Sequence, residues 1–388
     1  LLPSFFFIYL FYFDVQVEVP NRVRREFVSM SPAERLEFMQ ALDEMKHSTE
    51  VLKYATADGR VLSDYDAFVY MHALSVFNAS DDCQQQCSWA HNGPAFMTWH
   101  RYFMLLFETV VLAYLPAGST VTGLPYLNWT DFQHRQLVMD PAYFGGDGDA
   151  SEDGQISTGY FNKWITINGS GARTGLRVRR EFARNLVWEE IQSYNELLEL
   201  IRGLPSYDAY PWVVPCSNGS FTNNIEGFLQ YDAGNNHCMR HRVWHNLFHI
   251  LVGGDLGNLV TSANDPLFFL LHGFVDFIFE LWFTEFPNTD SYQPMYGGPP
   301  GHSGVDCISP VIPCVSNAEM LKPAYVFHYQ YDAIAPPGQP AKRSKSLHGP
   351  SIGAGVAIGV VICLPVVAYL LCTKYRRQNG YQPVASDL

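Results

Sequence analysis

The chain has 388 residues, of which 47% are hydrophobic, 15% aromatic and only 16% charged. This composition can fill a large core and excludes a disordered, coiled-coil or collagen-like chain. The net charge of −13 at pH 7 argues against a nucleic-acid partner, because binding to phosphates requires a basic face. Thirteen histidines make metal chemistry the first function to consider.

The first thirteen residues are almost wholly apolar and are interrupted only by Pro3 and Ser4. The run is too short to cross a bilayer and is typical of the remainder of a secretory signal peptide, with a buried strand as the alternative. We assign residues 1–19 to this signal-like segment. The helical signals that follow predict one domain over residues 20–335.

Helix-starting and helix-ending residues recur through this domain, which predicts a mainly α fold. Ser31, Pro32 and Glu34 form a capping box that starts a helix running to about Lys46. Ser63 and Asp66 start the next helix. Four more helices are predicted. One begins at Pro94, one spans Glu181–Arg202, one spans about Arg240–Val252, and one begins at Asn264.

The stretch from Gly145 to Gly171 is rich in glycine and aspartate and has no hydrophobic periodicity. It predicts a long irregular loop between two of the helices. Such loops separate the helical signals without suggesting a second domain.

The C-terminal end predicts a membrane anchor. Residues 336–351 form a polar linker, and residues 352–372 form an uncharged run of 21 residues, long enough for a transmembrane helix. Lys374, Arg376 and Arg377 follow and mark residues 373–388 as a cytoplasmic tail. We therefore expect a type I membrane protein with a lumenal or extracellular domain. Tyr381 opens a tyrosine-x-x-hydrophobic pattern that predicts binding to a clathrin adaptor.

Cysteines and sequons fit this secretory topology. Six cysteines in the lumenal part suit three disulfides, and the sequence does not choose among the fifteen pairings. Four N-x-S/T sequons predict glycosylation. The cysteines are Cys83, Cys87, Cys216, Cys238, Cys307 and Cys314, and the sequons begin at Asn78, Asn128, Asn168 and Asn218.

Six histidines form a pattern that favours metal binding over isolated core histidines. Three lie on apolar faces of different predicted helices, one lies in the loop before the third helix, and one pair is spaced i, i+4, which suits joint ligation. Neutral imidazoles without carboxylate or thiolate favour copper or zinc. His241 offers a rival i, i+4 pair with His245. The two groups are His72, His91 and His100, and His245, His249 and His272.

The segments around these histidines resemble the tyrosinase family of type 3 dicopper proteins, and the anchor resembles its animal, membrane-bound branch. The resemblance covers roughly residues 20 to 290. It is carried by Tyr70-Met71-His72, Ala90-His91-Asn92-Gly93-Pro94-Ala95-Phe96, Trp99-His100-Arg101, His245-Asn246 with His249, Ser262-Ala263-Asn264-Asp265-Pro266, and His272-Gly273-Phe274-Val275-Asp276.

The resemblance implies a four-helix bundle around two copper ions, one held by His72, His91 and His100 and the other by His245, His249 and His272. It implies oxidation of phenols with dioxygen, first to o-diphenols and then to o-quinones, in pigment formation within a melanosome or related endosomal organelle. It also implies that Glu226 and Asn246 hold a water that takes the phenol proton.

One departure from the family pattern keeps other functions open. Leu271 precedes His272 where many tyrosinases have a second histidine, and the same Leu-His pair occurs in tyrosinase-related proteins. A catechol oxidase and a zinc-containing enzyme of the melanin pathway therefore stand as alternatives. A non-catalytic oxygen carrier, as in the haemocyanins that share the dicopper site, is the alternative from another class, and the predicted membrane segment argues against it. Asp276 is expected either to orient a ligand imidazole or to form a salt bridge with Arg101, and Phe268 to pack against a ligand ring.

Overall fold

The structure is a computed structural model in which the described residues run from 22 to 334 with internal gaps. They are residues 22–76, 88–91, 93–182, 191–207, 221–226, 229–232, 237–240, 244–289, 291–292, 296, 301–309 and 314–334. The signal-like segment, the linker, the membrane segment and the tail predicted from the sequence all lie outside the described residues.

Helices dominate the described part of the chain, which confirms the mainly α prediction. Their bounds are α1 (Pro32–His47), α2 (Asp64–Val76), α3 (Ala95–Leu112), α4 (Phe132–Val138), α5 (Tyr194–Arg202), α6 (Phe221–Glu226), α7 (Trp244–Val252), α8 (Leu267–Glu285) and α9 (Asn317–Met320).

Local sequence explains where the first helices begin. The Ser31 hydroxyl accepts a hydrogen bond from the Glu34 amide at 3.3 Å, and the Glu34 carboxylate accepts one from the Ser31 amide at 2.8 Å. This is the predicted capping box, which satisfies two amides that the first turn of α1 leaves without partners. The Ser63 hydroxyl accepts a hydrogen bond from the Asp66 amide at 3.1 Å and caps α2 in the same way.

Two predicted helix starts are wrong. Glu181 is not helical, because its amide donates to the carbonyl of Val252 at 3.0 Å and holds the chain against the end of α7. The helix expected from Glu181 begins instead at Tyr194, where Ser193 and Glu196 form a capping box. Arg240 belongs to a strand, and α7 begins at Trp244.

Eight short strands pair into four two-stranded sheets in the described residues. Three of these strands lie within the stretch from Gly145 to Gly171 that was predicted to be an irregular loop, so that prediction is wrong in part. Strands of two or three residues are too short to show an alternating pattern. The strands are β1 (Arg22–Arg24), β2 (Gly148–Asp149), β3 (Gln155–Ile156), β4 (Ile165–Ile167), β5 (Arg173–Arg177), β6 (Leu229–Asp232), β7 (His237–Arg240) and β8 (Tyr329–Tyr331).

The first and last strands bring the two ends of the described chain together. β1 pairs in parallel with β8, and Arg24 lies opposite Tyr331. The buried Arg24 guanidinium donates to the carboxylates of Glu108 at 2.9 Å and Asp276 at 2.8 Å. Because Glu108 lies on α3 and Asp276 on α8, the strand pair is tied to the two central helices.

Asp276 also links α3 to α8. Its carboxylate accepts hydrogen bonds from Arg101 at 2.6 Å and from the hydroxyls of Tyr329 and Tyr331 at 2.6 and 2.7 Å. Burial raises the pKa of Asp276, but the charges of Arg101 and Arg24 outweigh it and hold that pKa below its usual range. Of the two roles expected for Asp276, the structure has the interhelical salt bridge.

Among the described residues, one helix is long and apolar enough to cross a membrane, namely α8. Of its most apolar window, 89% is buried inside the protein. It carries His272 and Asp276 and packs against α3, as expected of a core helix.

Candidate metal centre

Four helices and one loop bring the six predicted histidines into the core. α2 carries His72, α3 carries His100, and α8 carries His272. α7 carries the pair His245 and His249 one helical turn apart, and His91 lies in the loop before α3. Five of the six side chains are at most 3% exposed, and His249 is partly buried.

The first group contains His72, His91 and His100. The ring centroid of His91 lies 5.2 Å from that of His72 and 5.1 Å from that of His100. One ring nitrogen of each lies within 4.8 Å of the others. Such a cluster of three imidazoles can coordinate one metal ion and leave further positions open.

The second group contains His245, His249 and His272, and it is tighter. The Nε2 atom of His245 lies 2.9 Å from Nε2 of His249 and 3.3 Å from Nε2 of His272. Of the two i, i+4 pairs that the sequence offers, the structure brings His245 and His249 together. The rival partner, His241, lies outside the described residues.

The two groups face each other across α3 and α8. The rings of His100 and His272 stack with their centroids 4.3 Å apart and their planes inclined by 11°. The Phe268 ring lies 4.1 Å from His272 and 4.8 Å from His72, so it packs between the groups as expected. Phe96 lies 4.7 Å from His100 and 4.8 Å from His245 on another side. The space between the groups is therefore lined by aromatic rings.

Hydrogen bonds at Nδ1 orient several of these rings. His100 Nδ1 donates to the Phe96 carbonyl at 2.8 Å, and His249 Nδ1 donates to the Leu256 carbonyl at 2.7 Å. Because a neutral imidazole carries one proton, each Nε2 then has a lone pair directed into its group. Bonds of this kind fix the tautomer of metal-binding histidines.

The ring nitrogens that do not take part in these hydrogen bonds are suited to binding a cation. Nε2 of His245 and His249 face each other at 2.9 Å although each ring also has a partner for its Nδ1 proton. In the first group, both ring nitrogens of His72 and Nε2 of His100 are buried without a hydrogen-bond partner among the described residues. Lone pairs that converge in a buried space are stabilised by a positive ion and are unfavourable without one.

The protonation state of the groups agrees with this fit. Burial lowers the pKa of His100 to about 3 and that of His249 to about 4. Burial also holds the pKa values of the other four well below the usual range for histidine, and the neighbouring imidazoles add to the effect. All six rings are therefore neutral near pH 7, as metal ligation requires.

Glu226 and Asn246 lie beside the second group. Asn246 Oδ1 accepts a hydrogen bond from His245 Nδ1 at 2.9 Å, and the Glu226 backbone also accepts one from the His245 ring. The Glu226 side chain is 2% exposed at the end of α6. Both residues thus adjoin one histidine, although they are twenty positions apart in the sequence.

Two residues that the sequence pattern did not single out, Ser88 and His302, lie close to the first group. The Ser88 hydroxyl lies 3.1 Å from His91 Nδ1, and His302 is buried against the loop that carries His91. A histidine next to Gly301 in a segment rich in proline and glycine was the only available signal. Of the six cysteines, Cys307 and Cys314 form a disulfide, and Cys83, Cys87 and Cys216 lie outside the described residues.

Two facing groups of three histidines on a helical core define the class of type 3 dicopper proteins. Comparison with known families agrees, because residues 62–285 match the family model described as the common central domain of tyrosinase. This match covers more than half of the chain. The protein belongs to the tyrosinase family, which is a family of dicopper oxidoreductases.

Curated relatives and a solved structure support this assignment. The chain is 26% identical to a tyrosinase from Pelophylax lessonae, over 92% of this chain and 73% of the relative. It is 28% identical to a 5,6-dihydroxyindole-2-carboxylic acid oxidase from Carassius auratus, over 94% of this chain and 74% of the relative. A polyphenol oxidase from Thermothelomyces thermophila has a similar fold, with a TM-score of 0.52 at 19% identity over 78% of this chain and 88% of that one.

Proposed function

We propose that the protein is a copper monooxygenase and oxidase that converts monophenols to o-diphenols and o-diphenols to o-quinones with dioxygen, in pigment formation. The pair of facing histidine groups carries this proposal. Each group offers three neutral imidazoles, and the stacked rings of His100 and His272 keep the groups adjacent. Two metal ions held in this way can share one small ligand between them.

Copper fits these groups better than zinc does. His72, His91 and His100 would hold one ion, and His245, His249 and His272 the other. Zinc has no redox chemistry, whereas copper binds imidazole and changes oxidation state. When bound, the copper pair supplies the activation of dioxygen and the exchange of electrons with the phenol.

The protein would bind the aromatic substrate and remove its proton. Phe96 and Phe268 line the space between the groups, so a phenol ring could enter it with little water. Asn246 Oδ1 is occupied by His245, which leaves the Asn246 Nδ2 hydrogens to hold a water. The Glu226 carboxylate would accept the proton that this water takes from the phenol oxygen.

A diphenol-only oxidase is the second candidate, and two observations favour it. Leu271 is fully buried directly before His272, in the position where many family members have a histidine. Several of the similar proteins are named 5,6-dihydroxyindole-2-carboxylic acid oxidase. Both candidates use the same metal ligands, and turnover of a monophenol by the copper-loaded protein distinguishes them.

Glu226→Gln tests the proposed base. The change should slow monophenol hydroxylation by about 10²–10⁴-fold, the usual contribution of one positioned base. Oxidation of a catechol should slow much less, because a catechol gives up its protons more easily. Turnover of both substrates by the same copper-loaded preparation measures the difference.

Glu199→Gln provides the matched control, since Glu199 is an exposed carboxylate on α5. It should leave both rates unchanged. Equal slowing of both reactions in Glu226→Gln at full copper content would show that Glu226 has a structural role only. Absence of monophenol turnover in the wild-type protein would favour the diphenol oxidase.

The segments outside the described residues support a proposal about location. Residues 352–372 would anchor the protein with its metal centre on the lumenal side, and Tyr381 in the cytoplasmic tail would direct it to a melanosome or related endosomal organelle through a clathrin adaptor. Tyr381→Ala should then move the protein to the cell surface. An unchanged distribution of the variant would exclude this sorting role.

A further inference from the structure

His302 links the two parts of the chain that carry the first histidine group. Its side chain is 1% exposed. The Ala95 amide, at the start of α3, donates to His302 Nδ1 at 3.2 Å. Nδ1 is therefore the acceptor, so the ring proton lies on Nε2, which donates to the Ser88 carbonyl at 2.5 Å. One neutral imidazole thus joins the His91 loop to the helix that carries His100.

The contact to Ser88 continues to a proposed metal ligand. The Ser88 hydroxyl donates to the Ser75 carbonyl at 2.8 Å, so it accepts from His91 Nδ1 at 3.1 Å. Ser75 lies three residues after His72 on α2, and its hydroxyl donates to the His72 carbonyl at 2.7 Å. Ser88 therefore orients His91 and ties its loop to α2, while His302 fixes the backbone of Ser88.

Gly93 and Gly301 lie where the chain has no space for a side chain beside His302 and Trp89. A Cβ atom on Gly93 would lie 2.2 Å from His302 Nδ1, and a Cβ atom on Gly301 would lie 2.4 Å from the Trp89 ring. Both distances are far below normal contact, so the imidazole fits tightly between the His91 loop and α3. A displacement of this ring should therefore shift both the His91 loop and the start of α3.

A clamp segment, defined as residues 301–309 and 314–320, holds His302 in place. The Asn317 amide donates to the Gly301 and Ser303 carbonyls at 2.9 and 3.1 Å, and its oxygen accepts from the Thr98 hydroxyl at 2.9 Å. The Trp99 indole donates to the Ser309 carbonyl at 2.8 Å. The Cys307–Cys314 disulfide closes the segment. The clamp segment is therefore hydrogen-bonded to α3 at Thr98 and Trp99, directly before His100.

We infer that His302 is a positioning residue of the first metal site, which acts through the Ser88 backbone on His91 and through the Ala95 amide on α3. It touches neither the metal nor the substrate in this arrangement. The inference rests on the proposed dicopper function. It assigns a role in that site to a residue that lies beyond the matched family domain. Among the described residues, His302 makes no hydrogen bond or ring contact with the second histidine group, so the effect should be confined to the first site.

The test places His302→Ala in two backgrounds that each retain one site. His249→Ala should keep copper only in the first site, and His100→Ala only in the second. The readout is the rate at which a Cu(I) chelator removes copper from the loaded, full-length protein. We expect His302→Ala to speed release about tenfold in the His249→Ala background, the lower end of the effect of outer partners on metal affinity. Release in the His100→Ala background should not change.

Two further variants keep the test interpretable. His302→Gln retains an amide that can donate to the Ser88 carbonyl, so it carries the same comparison if His302→Ala does not fold. Val138→Ala removes buried volume from α4, which carries no histidine of either group. It controls for general loss of stability and should affect both backgrounds alike.

The outcomes separate this inference from the proposed function. Equal acceleration in both backgrounds, or none in either, would overturn the positioning role of His302. Two copper ions retained in His249→Ala or His100→Ala alone would instead overturn the assignment of the two sites.

Discussion

The two histidine groups are equivalent in composition but differ in how the chain supports them. The second group depends on local structure: His245 and His249 are one turn apart on α7, and Asn246 and Leu256 orient their rings from nearby in the sequence. The first group depends on distant structure. His91 lies on a loop whose position is fixed by Ser75 and by His302, more than two hundred residues further along.

The two groups show which structural features a sequence can encode locally. A pair spaced i, i+4 encodes its own geometry, because one helix sets the distance between the rings. A ligand on a loop encodes no geometry of its own, and its position follows from tertiary contacts. We therefore expect the first site to respond to changes far from it and the second site to respond mainly to changes on α7 and its immediate neighbours.

Asp276 connects the two helices that carry His100 and His272, and replacing it should change stability more than any other substitution considered below. It lies one turn after His272 and bonds to Arg101, which follows His100. Asp276→Ala leaves the buried Arg24 and Arg101 each with one carboxylate fewer, at a cost of about 3–5 kcal/mol in the free energy of unfolding. Urea unfolding of the metal-free protein measures this cost, and copper release should accelerate at both sites.

Asp58→Ala is the matched control for this change. Asp58 pairs with Arg60 at 3.1 Å at the surface, where both side chains are exposed. Exposed ion pairs contribute little to stability, so the unfolding midpoint should hardly move. A large loss in Asp58→Ala, or a negligible loss in Asp276→Ala, would contradict the central role of the buried network.

Ser88 and Asn246 test whether the two groups are supported independently, because Ser88 contacts His91 and Asn246 contacts His245. Ser88→Ala should speed copper release from the first site and Asn246→Ala from the second, each by about 10–100-fold. The effect of Asn246→Ala should be the smaller, because the Glu226 backbone remains as a partner for the His245 ring. Chelator assays in the His249→Ala and His100→Ala backgrounds separate the sites. Loss of selectivity in either variant would show that the two groups are not supported independently.

Much of the fold and the site could be predicted from local sequence. The capping box at Ser31 and the proline before α3 encode their helix starts directly. The prediction of a helix starting at Glu181 was wrong because the Glu181 amide bonds to Val252, seventy-one residues away, and this tertiary contact outweighs local helix propensity. The strands between Gly145 and Gly171 could not be predicted because strands of two or three residues show no detectable hydrophobic periodicity.

Within the site, the sequence indicated the histidines but not their supports. All six could be proposed as metal ligands from their spacing, five of them on helices and His91 in the loop before α3. Ser88 and His302 were not recognisable, since a serine and a lone histidine in loops have many ordinary roles. The sequence predicted the salt bridge between Arg101 and Asp276 only as one of two alternatives, because both partners lie close to proposed metal ligands on different helices.

The number of copper ions bound per chain decides whether the six histidines form two metal sites. The loaded wild-type protein should hold two copper ions per chain, and His100→Ala and His249→Ala should each hold one. His47→Ala, which removes an exposed histidine from the end of α1, should still hold two. Full occupancy by two ions in either His100→Ala or His249→Ala, or a single ion in the wild-type protein, would contradict the assignment of two three-histidine copper sites.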